Sequence, residues 1–251
     1  MEFFISGQEV SQKYYKSFQP NLINKNWILN NMEVIQLLSK ADRHIGRLDM
    51  YSEYVNIDLF IRMHIAKEAT QSSKIEGTQT NMEEAFLKKE EIAFEKRDDW
   101  EEVQNYISAM NEAVKLLHTL PFSSRLIKQT HKILLQGVRG EHKLPGEYRT
   151  SQNWIGGASI NDAVFIPPIH NTINELISDL EHFANDELNP LPDLVKIAII
   201  HYQFETIHPF LDGNGRISRL FLNLILFGHK RQIQLSPQKV LYLIHYFEKY
   251  K

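Results

Sequence analysis

Apolar residues recur at helical spacing over most of the chain. Trp27, Ile28, Met32, Ile35 and Leu38 mark a helix over 27–38, and the pattern continues in helical style through 41–51, with Gly46 as its weak point. Leu59, Phe60, Met63 and Ala66 give one apolar face of a long helix over 57–76, and Gly77 reads as its stop. Residues 103–120 are amphipathic and end at Pro121. Further helical stretches run over 125–135, 173–184, 194–204, 220–227 and 240–247. Residues 82–101 are rich in charge, with Ala85, Phe86, Ile92 and Phe94 apolar, and read as helix plus connecting loop. Residues 1–20 are polar and aromatic without a clear period.

The helical pattern breaks over 140–168, which holds Pro145, Gly146, Gly156, Gly157, Pro167 and Pro168. Two short strands, 153–155 and 163–166, surround a turn at 158–162. A lone hairpin is unstable by itself, so it must lie against the helices, leaving an edge free. A free edge can pair with an extended segment of another protein. The expected fold is all-α: a helical core with one small β-hairpin. An N-terminal helical region would cover 1–120 and the core 121–251, with Pro121 at the boundary.

Between the apolar stretches 194–204 and 220–227 lies a polar, glycine-broken loop, His208-Pro209-Phe210-Leu211-Asp212-Gly213-Asn214-Gly215-Arg216-Ile217-Ser218-Arg219. Gly213 and Gly215 permit backbone angles that side chains forbid, so successive N–H groups can converge on one anion. The loop opens into a helix whose first N–H groups lack partners. Arg216 and Arg219 share a face near that end. Each costs about 0.3–1 kcal/mol against the helix dipole unless an anion offsets it. His208 is placed as a general base, Asp212 as a hard oxygen ligand for Mg²⁺, and Asn214 as a donor to a phosphate oxygen. Taken singly, each residue has a plainer reading as a turn, helix-end or surface group.

Glu76 is misplaced in the opposite sense, an acid at the negative end of the helix over 57–76. The economical expectation is that this acid meets the two bases Arg216 and Arg219.

Composition narrows the alternatives. A net charge of −3 gives no basic surface for nucleic acid. The chain has no cysteine, which removes disulfides, thiolate metal sites and cysteine nucleophiles. No apolar run approaches the roughly 18 residues that span a bilayer. No leader pattern is evident at the start, so a cytoplasmic location without membrane contact is the default. The histidines lack ligand spacing, and no Gly-x-x-x-x-Gly-Lys-[Ser/Thr] occurs, which disfavours a histidine metal site and a P-loop ATPase.

The loop resembles the signature of the Fic family in the Fic/Doc superfamily, His-Pro-Phe-x-x-Gly-Asn-Gly-Arg-x-x-Arg, with every fixed position filled. The resemblance implies a mainly helical Fic fold that transfers AMP from Mg-ATP to a Ser, Thr or Tyr hydroxyl of a target protein. It makes His208 the base, Asp212 the Mg²⁺ ligand, and Gly213, Asn214 and Gly215 the phosphate cradle. Arg216 and Arg219 would bind the outer phosphates, and Phe210 would anchor the loop. The kinase-like Doc branch has Lys where this chain has Gly215, which favours nucleotidyl transfer. Ser72-x-x-x-Glu76-Gly77 resembles the N-terminal inhibitory-helix motif of some Fic proteins. There the Glu pairs with the second signature Arg, here Arg219, and blocks the γ-phosphate site. The hairpin resembles the family's flap, so Val164, Phe165, Ile166 and Pro167 would hold the target's backbone. The stretch from Pro145 through Arg149 to Gly157 resembles the family's approach to that flap. Two other functions stay open at this point: removal of AMP, with Glu76 orienting a water, and a nucleotide-binding interaction module. A homodimer also stays open.

Overall fold

The computed structural model describes residues 5–52 and 57–228, so the helix expected over 240–247 lies outside the described residues. In chain order the elements are β1 (Gly7–Ser11), β2 (Lys16–Pro20), α1 (Met32–Ser52), α2 (Ile57–Ile75), α3 (Arg97–Leu117), α4 (Ser124–Leu134), α5 (Ile173–Asn185), α6 (Asp193–Ile207) and α7 (Asn214–Gly228). One apolar core joins α2 through α7 across Pro121, so the expected N-terminal region and core share a single interior.

Several boundaries follow from local chemistry. α1 begins later than the apolar spacing predicts. The Asn31 side chain accepts from the N–H groups of Glu33 and Val34 and caps the helix there. Trp27 lies upstream, its Nε1 donating to the Ile23 carbonyl. α2 stops where Gly77 takes φ 99°, a left-handed angle that favours glycine. Residues 82–96 contain short 3₁₀ turns, Glu84–Phe86, Lys89–Glu91 and Phe94–Lys96, in place of the expected helix. The turn at Glu84 is tied down by Asn81, whose Oδ1 accepts the Glu84 N–H while Glu84 Oε2 accepts the Asn81 N–H.

The core is dominated by side chains from the last four helices. Leu176, Ile177, Leu180, Phe183, Phe204, Ile217, Leu220 and Leu224 are fully buried. Each contributes about 1.5–3 kcal/mol relative to exposure. Phe221 meets Phe122 and Phe204 edge-on, with ring centroids 5.2 and 5.6 Å apart. This packing holds α6 and α7 rigidly on either side of the polar loop.

The β structure differs from expectation. The strands expected at 153–155 and 163–166 pair only at one bridge, Ile155 with Phe165. The two-stranded antiparallel sheet is instead β1–β2, in the segment without a period. Its strands are too short for an alternation to show, and β2 is anchored by burial of Ser17 and Pro20 rather than by an apolar stripe. β2 also takes part of the edge expected to be free: the Phe18 N–H donates to the Ile166 carbonyl at 2.8 Å.

Candidate functional site

The 208–219 loop is built from its own side chains. α6 ends at His208, which adopts φ 49° and ψ 60°. A left-handed histidine costs about 1–3 kcal/mol and persists only where its surroundings fix it. Phe210 is fully buried and stacks on the His131 ring, centroids 3.7 Å apart and 4° from parallel. Asn214 clamps the backbone of Phe210 from both sides: its Oδ1 accepts the Phe210 N–H and its Nδ2 donates to the Phe210 carbonyl, each at 2.9 Å. That contact occupies the side chain expected to donate to phosphate, so any cradle contribution from Asn214 comes from its backbone.

His131 supports the loop, and the sequence pattern does not single it out. It is fully buried on α4. Its Nε2–H donates to the Asp212 carbonyl at 2.9 Å, and its Nδ1 accepts the Gly146 N–H at 2.8 Å. These partners require the neutral ring, and burial pulls its pKa down to about 4. The signal available in the sequence was its place on the apolar face of α4 beside Leu126, Ile127, Thr130 and Leu134.

The two glycines of the loop serve different ends. Gly213 has φ 76°, as an anion-cradling turn requires. Gly215 sits in regular helix, and its value is space. A Cβ there would lie 2.9 Å from both Arg219 Nη1 and Glu76 Oε1.

The Glu76 carboxylate therefore rests at the N-terminus of α7, on the spot where helix amides and dipole favour an anion. Arg219 Nη2 donates to Glu76 Oε1 at 2.8 Å. The same guanidinium donates through Nε to Ser72 Oγ at 2.7 Å and through Nη2 to the Ser72 carbonyl at 3.1 Å. Ser72 is buried one helical turn before Glu76, and Gly77 ends the helix just beyond it. An acid and a base each unfavourable for its own helix dipole thus offset one another.

Arg216 does not join that pair. It is buried, and its Nη1 donates to Glu102 Oε2 at 3.1 Å. Glu102, from α3, is equally buried and also accepts from Arg139 Nε at 2.6 Å. The expected meeting of one acid with both bases is thus divided between two acids. Arg216 Nε is buried and has no hydrogen-bond partner among the described residues.

Asp212 borders the same space. Its Oδ1 accepts the Gly213 N–H and lies 3.5 Å from Arg216 Nη2. Its Oδ2 faces Gly140, where a Cβ would approach to 2.7 Å. A half-exposed carboxylate beside an anion cradle fits Mg²⁺, which keeps several waters and takes its other ligands from phosphate. Among the described residues, no group of three or more His, Asp or Glu side chains is placed to cage a metal.

His208 Nδ1 is buried without a hydrogen-bond partner among the described residues. Burial holds the imidazole below the usual histidine range, and the Arg149 charge acts in the same direction, while Glu205 and Glu76 oppose it. A neutral ring near pH 7 can accept a proton. At the flap, Val164 is 84% exposed, and Phe165 packs on Phe18 with centroids 5.8 Å apart. Pro167 accepts from Gln152 Nε2 through its carbonyl at 3.0 Å.

Residues 35–115 match the model described as Fic/DOC family N-terminal, and residues 121–226 match the Fic/DOC family model. The chain belongs to the Fic/DOC family. It is 29% identical over 238 residues to a protein adenylyltransferase Fic of Drosophila mojavensis, covering 86% of this chain and 44% of that one. It is 34% identical over 128 residues to the namesake in Drosophila grimshawi, covering 49% and 25%. The chain thus spans less than half the length of these curated relatives. The fold is similar to that of a Fic family protein from Desulfovibrio desulfuricans G20, with TM-score 0.69, 23% identity and coverage of 90% and 66%. It is also similar to a Fic domain containing signaling protein from Bacteroides thetaiotaomicron VPI-5482, with TM-score 0.62, 22% identity and 80% coverage of each chain. Among the described residues, no helix is long and apolar enough to cross a membrane.

Proposed function

We propose that this protein transfers AMP from Mg-ATP to a Ser, Thr or Tyr hydroxyl of a target protein, and that Glu76 restrains it by pairing with Arg219. The observation that carries this reading is the Glu76 carboxylate seated on Arg219 over Gly215 at the α7 N-terminus. A carboxylate there stands in for a terminal phosphate oxygen. Fic relatives named protein adenylyltransferase support the reaction class.

In this reading the triphosphate lies along the loop. The amides of Asn214 and Gly215 face the α- and β-phosphates, joined by that of Gly213 when Asp212 Oδ1 releases it, and Arg216 and Arg219 take the outer charges. The Nε of Arg216, unpartnered among the described residues, supports a role for that side chain toward an anion. Asp212 would hold Mg²⁺, which supplies charge neutralisation on the phosphates when bound. The target hydroxyl oxygen attacks the α-phosphorus and its proton passes to His208. The bond from the α-phosphorus to the bridging oxygen breaks, and pyrophosphate leaves. Val164, Phe165, Ile166 and Pro167 would hold the target backbone beside His208, along the part of the flap edge that β2 leaves open.

With Glu76 on Arg219, the γ-phosphate has neither its cation nor its space. Intact mass spectrometry after incubating wild type and Glu76→Gly with Mg-ATP tests this reading. The variant should gain the mass of one AMP on itself or on an added target, and the wild type should gain much less. Equal, negligible labelling of both would overturn it.

A further inference from the structure

Arg149 lies in the irregular segment between α4 and α5, and only 2% of its surface is exposed. Each of its side-chain hydrogen bonds goes to a main-chain carbonyl. Nε donates to His208 at 3.0 Å and Nη1 to Ser151 at 3.0 Å. Nη2 donates to Pro168 at 2.6 Å and to Ile207 at 3.4 Å. Its backbone N–H donates to Pro209 at 2.9 Å. Among the described residues no carboxylate pairs with it, and burial lowers its pKa to about 10.

A buried guanidinium without a counter-ion is costly, so the position asks for a reason. Ile207, His208 and Pro209 are the three consecutive residues through which α6 turns into the loop. Pro168 directly follows the flap residue Pro167. One planar fork therefore grips both peptides around the left-handed His208 and the end of the flap. A lysine offers the charge but not the fork.

We infer that Arg149 is a positioning residue that locks the His208 base and the flap into one register. The inference rests on the transferase reading above and deepens it: the strand that presents the hydroxyl and the group that takes its proton share a single anchor.

The charge has a second effect. The groups that act on His208 are Glu205 on α6, Glu76 at the end of α2 and Arg149 itself. Both carboxylates favour the imidazolium, and Arg149 opposes it. Removing the Arg149 charge therefore raises the His208 pKa.

The test combines an NMR titration of the His208 ring with steady-state kinetics, using Arg149→Lys and Arg149→Gln in the Glu76→Gly protein. Arg149→Gln should raise the His208 pKa, while Arg149→Lys should leave it near the parent value. Both should lower kcat by roughly 100-fold with the KM for ATP changed less than about twofold, because the base is misplaced and the nucleotide site is not. An unmoved titration in Arg149→Gln, or an unchanged kcat in Arg149→Lys, overturns the inference. Should Arg149→Gln not fold, the kcat of Arg149→Lys decides alone. If the parent Glu76→Gly protein transfers no AMP, the transferase reading fails, and the titration still tests what Arg149 does to His208.

Discussion

Glu102→Gln isolates the least expected contact of the site. Glu102 and Arg216 have side chains only 3% and 4% exposed, and their contact is 3.1 Å. Among the described residues Arg216 has no hydrogen bond at Nε, and its remaining anionic neighbour, Asp212, is 3.5 Å away. The glutamine keeps the volume and removes the charge, leaving a buried guanidinium without its main counter-ion. Breaking a buried pair from one side costs about 3–5 kcal/mol. At roughly 2–4 °C per kcal/mol for a chain of this size, the melting temperature should fall by at least about 6 °C. Arg139→Ala is the control, because it removes the other partner of Glu102. Arg139 is 58% exposed, so that loss should stay below about 1 kcal/mol. Thermal and urea melts of both variants are the assay. Tripolyphosphate should recover more stability in Glu102→Gln than in wild type, since a bound anion supplies the missing charge. A Glu102→Gln protein within about 1 kcal/mol of wild type would refute the argument that Glu102 neutralises Arg216.

Other outcomes follow from the same geometry. His208→Ala should abolish AMP transfer in the Glu76→Gly protein while leaving ATP affinity nearly intact, as read by mass spectrometry and calorimetry. His131→Phe keeps the stack on Phe210 but strips the Gly146 N–H and the Asp212 carbonyl of their partner. It should cost about 2–6 kcal/mol in urea melts, at about 1–3 kcal/mol for each stranded group. Arg219→Lys cannot serve Ser72 Oγ, the Ser72 carbonyl and an anion together, so in the Glu76→Gly protein it should weaken ATP binding by about tenfold or more by calorimetry.

The sequence made some of this legible and hid the rest for physical reasons. Helices α2 to α6 were visible because each buries one face, as α3 does with Val103, Tyr106, Ala109, Met110 and Ala113, and α7 because it is apolar and buried nearly all round. The α3 pattern also carried an unread signal: Glu102 is an acid on the buried face of α3 and had to have a buried cation. The glycine-broken loop stood out because the residues that shape it are contiguous. Its supports are not contiguous. His131 and Arg149 reach the loop across 81 and 59 positions, and nothing local to either residue specifies a carbonyl so far downstream. The Glu76–Arg219 contact spans 143 positions, yet each partner advertised itself by sitting at the wrong end of a helix. The β1–β2 hairpin left no trace because its stability comes from docking, through Phe18 on the flap and the buried Ser17, rather than from alternation.

The exclusion of the γ-phosphate by Glu76 is tested most directly by calorimetry of a non-hydrolysable ATP analogue and of ADP against wild type and Glu76→Gly. The wild type should bind the two nucleotides with similar affinity, because Arg219 is already occupied. Glu76→Gly should bind the triphosphate at least about tenfold more tightly than wild type and ADP no better, as one charge-assisted contact is worth about 1.5–3 kcal/mol. Equal triphosphate affinity in the two proteins would contradict the exclusion.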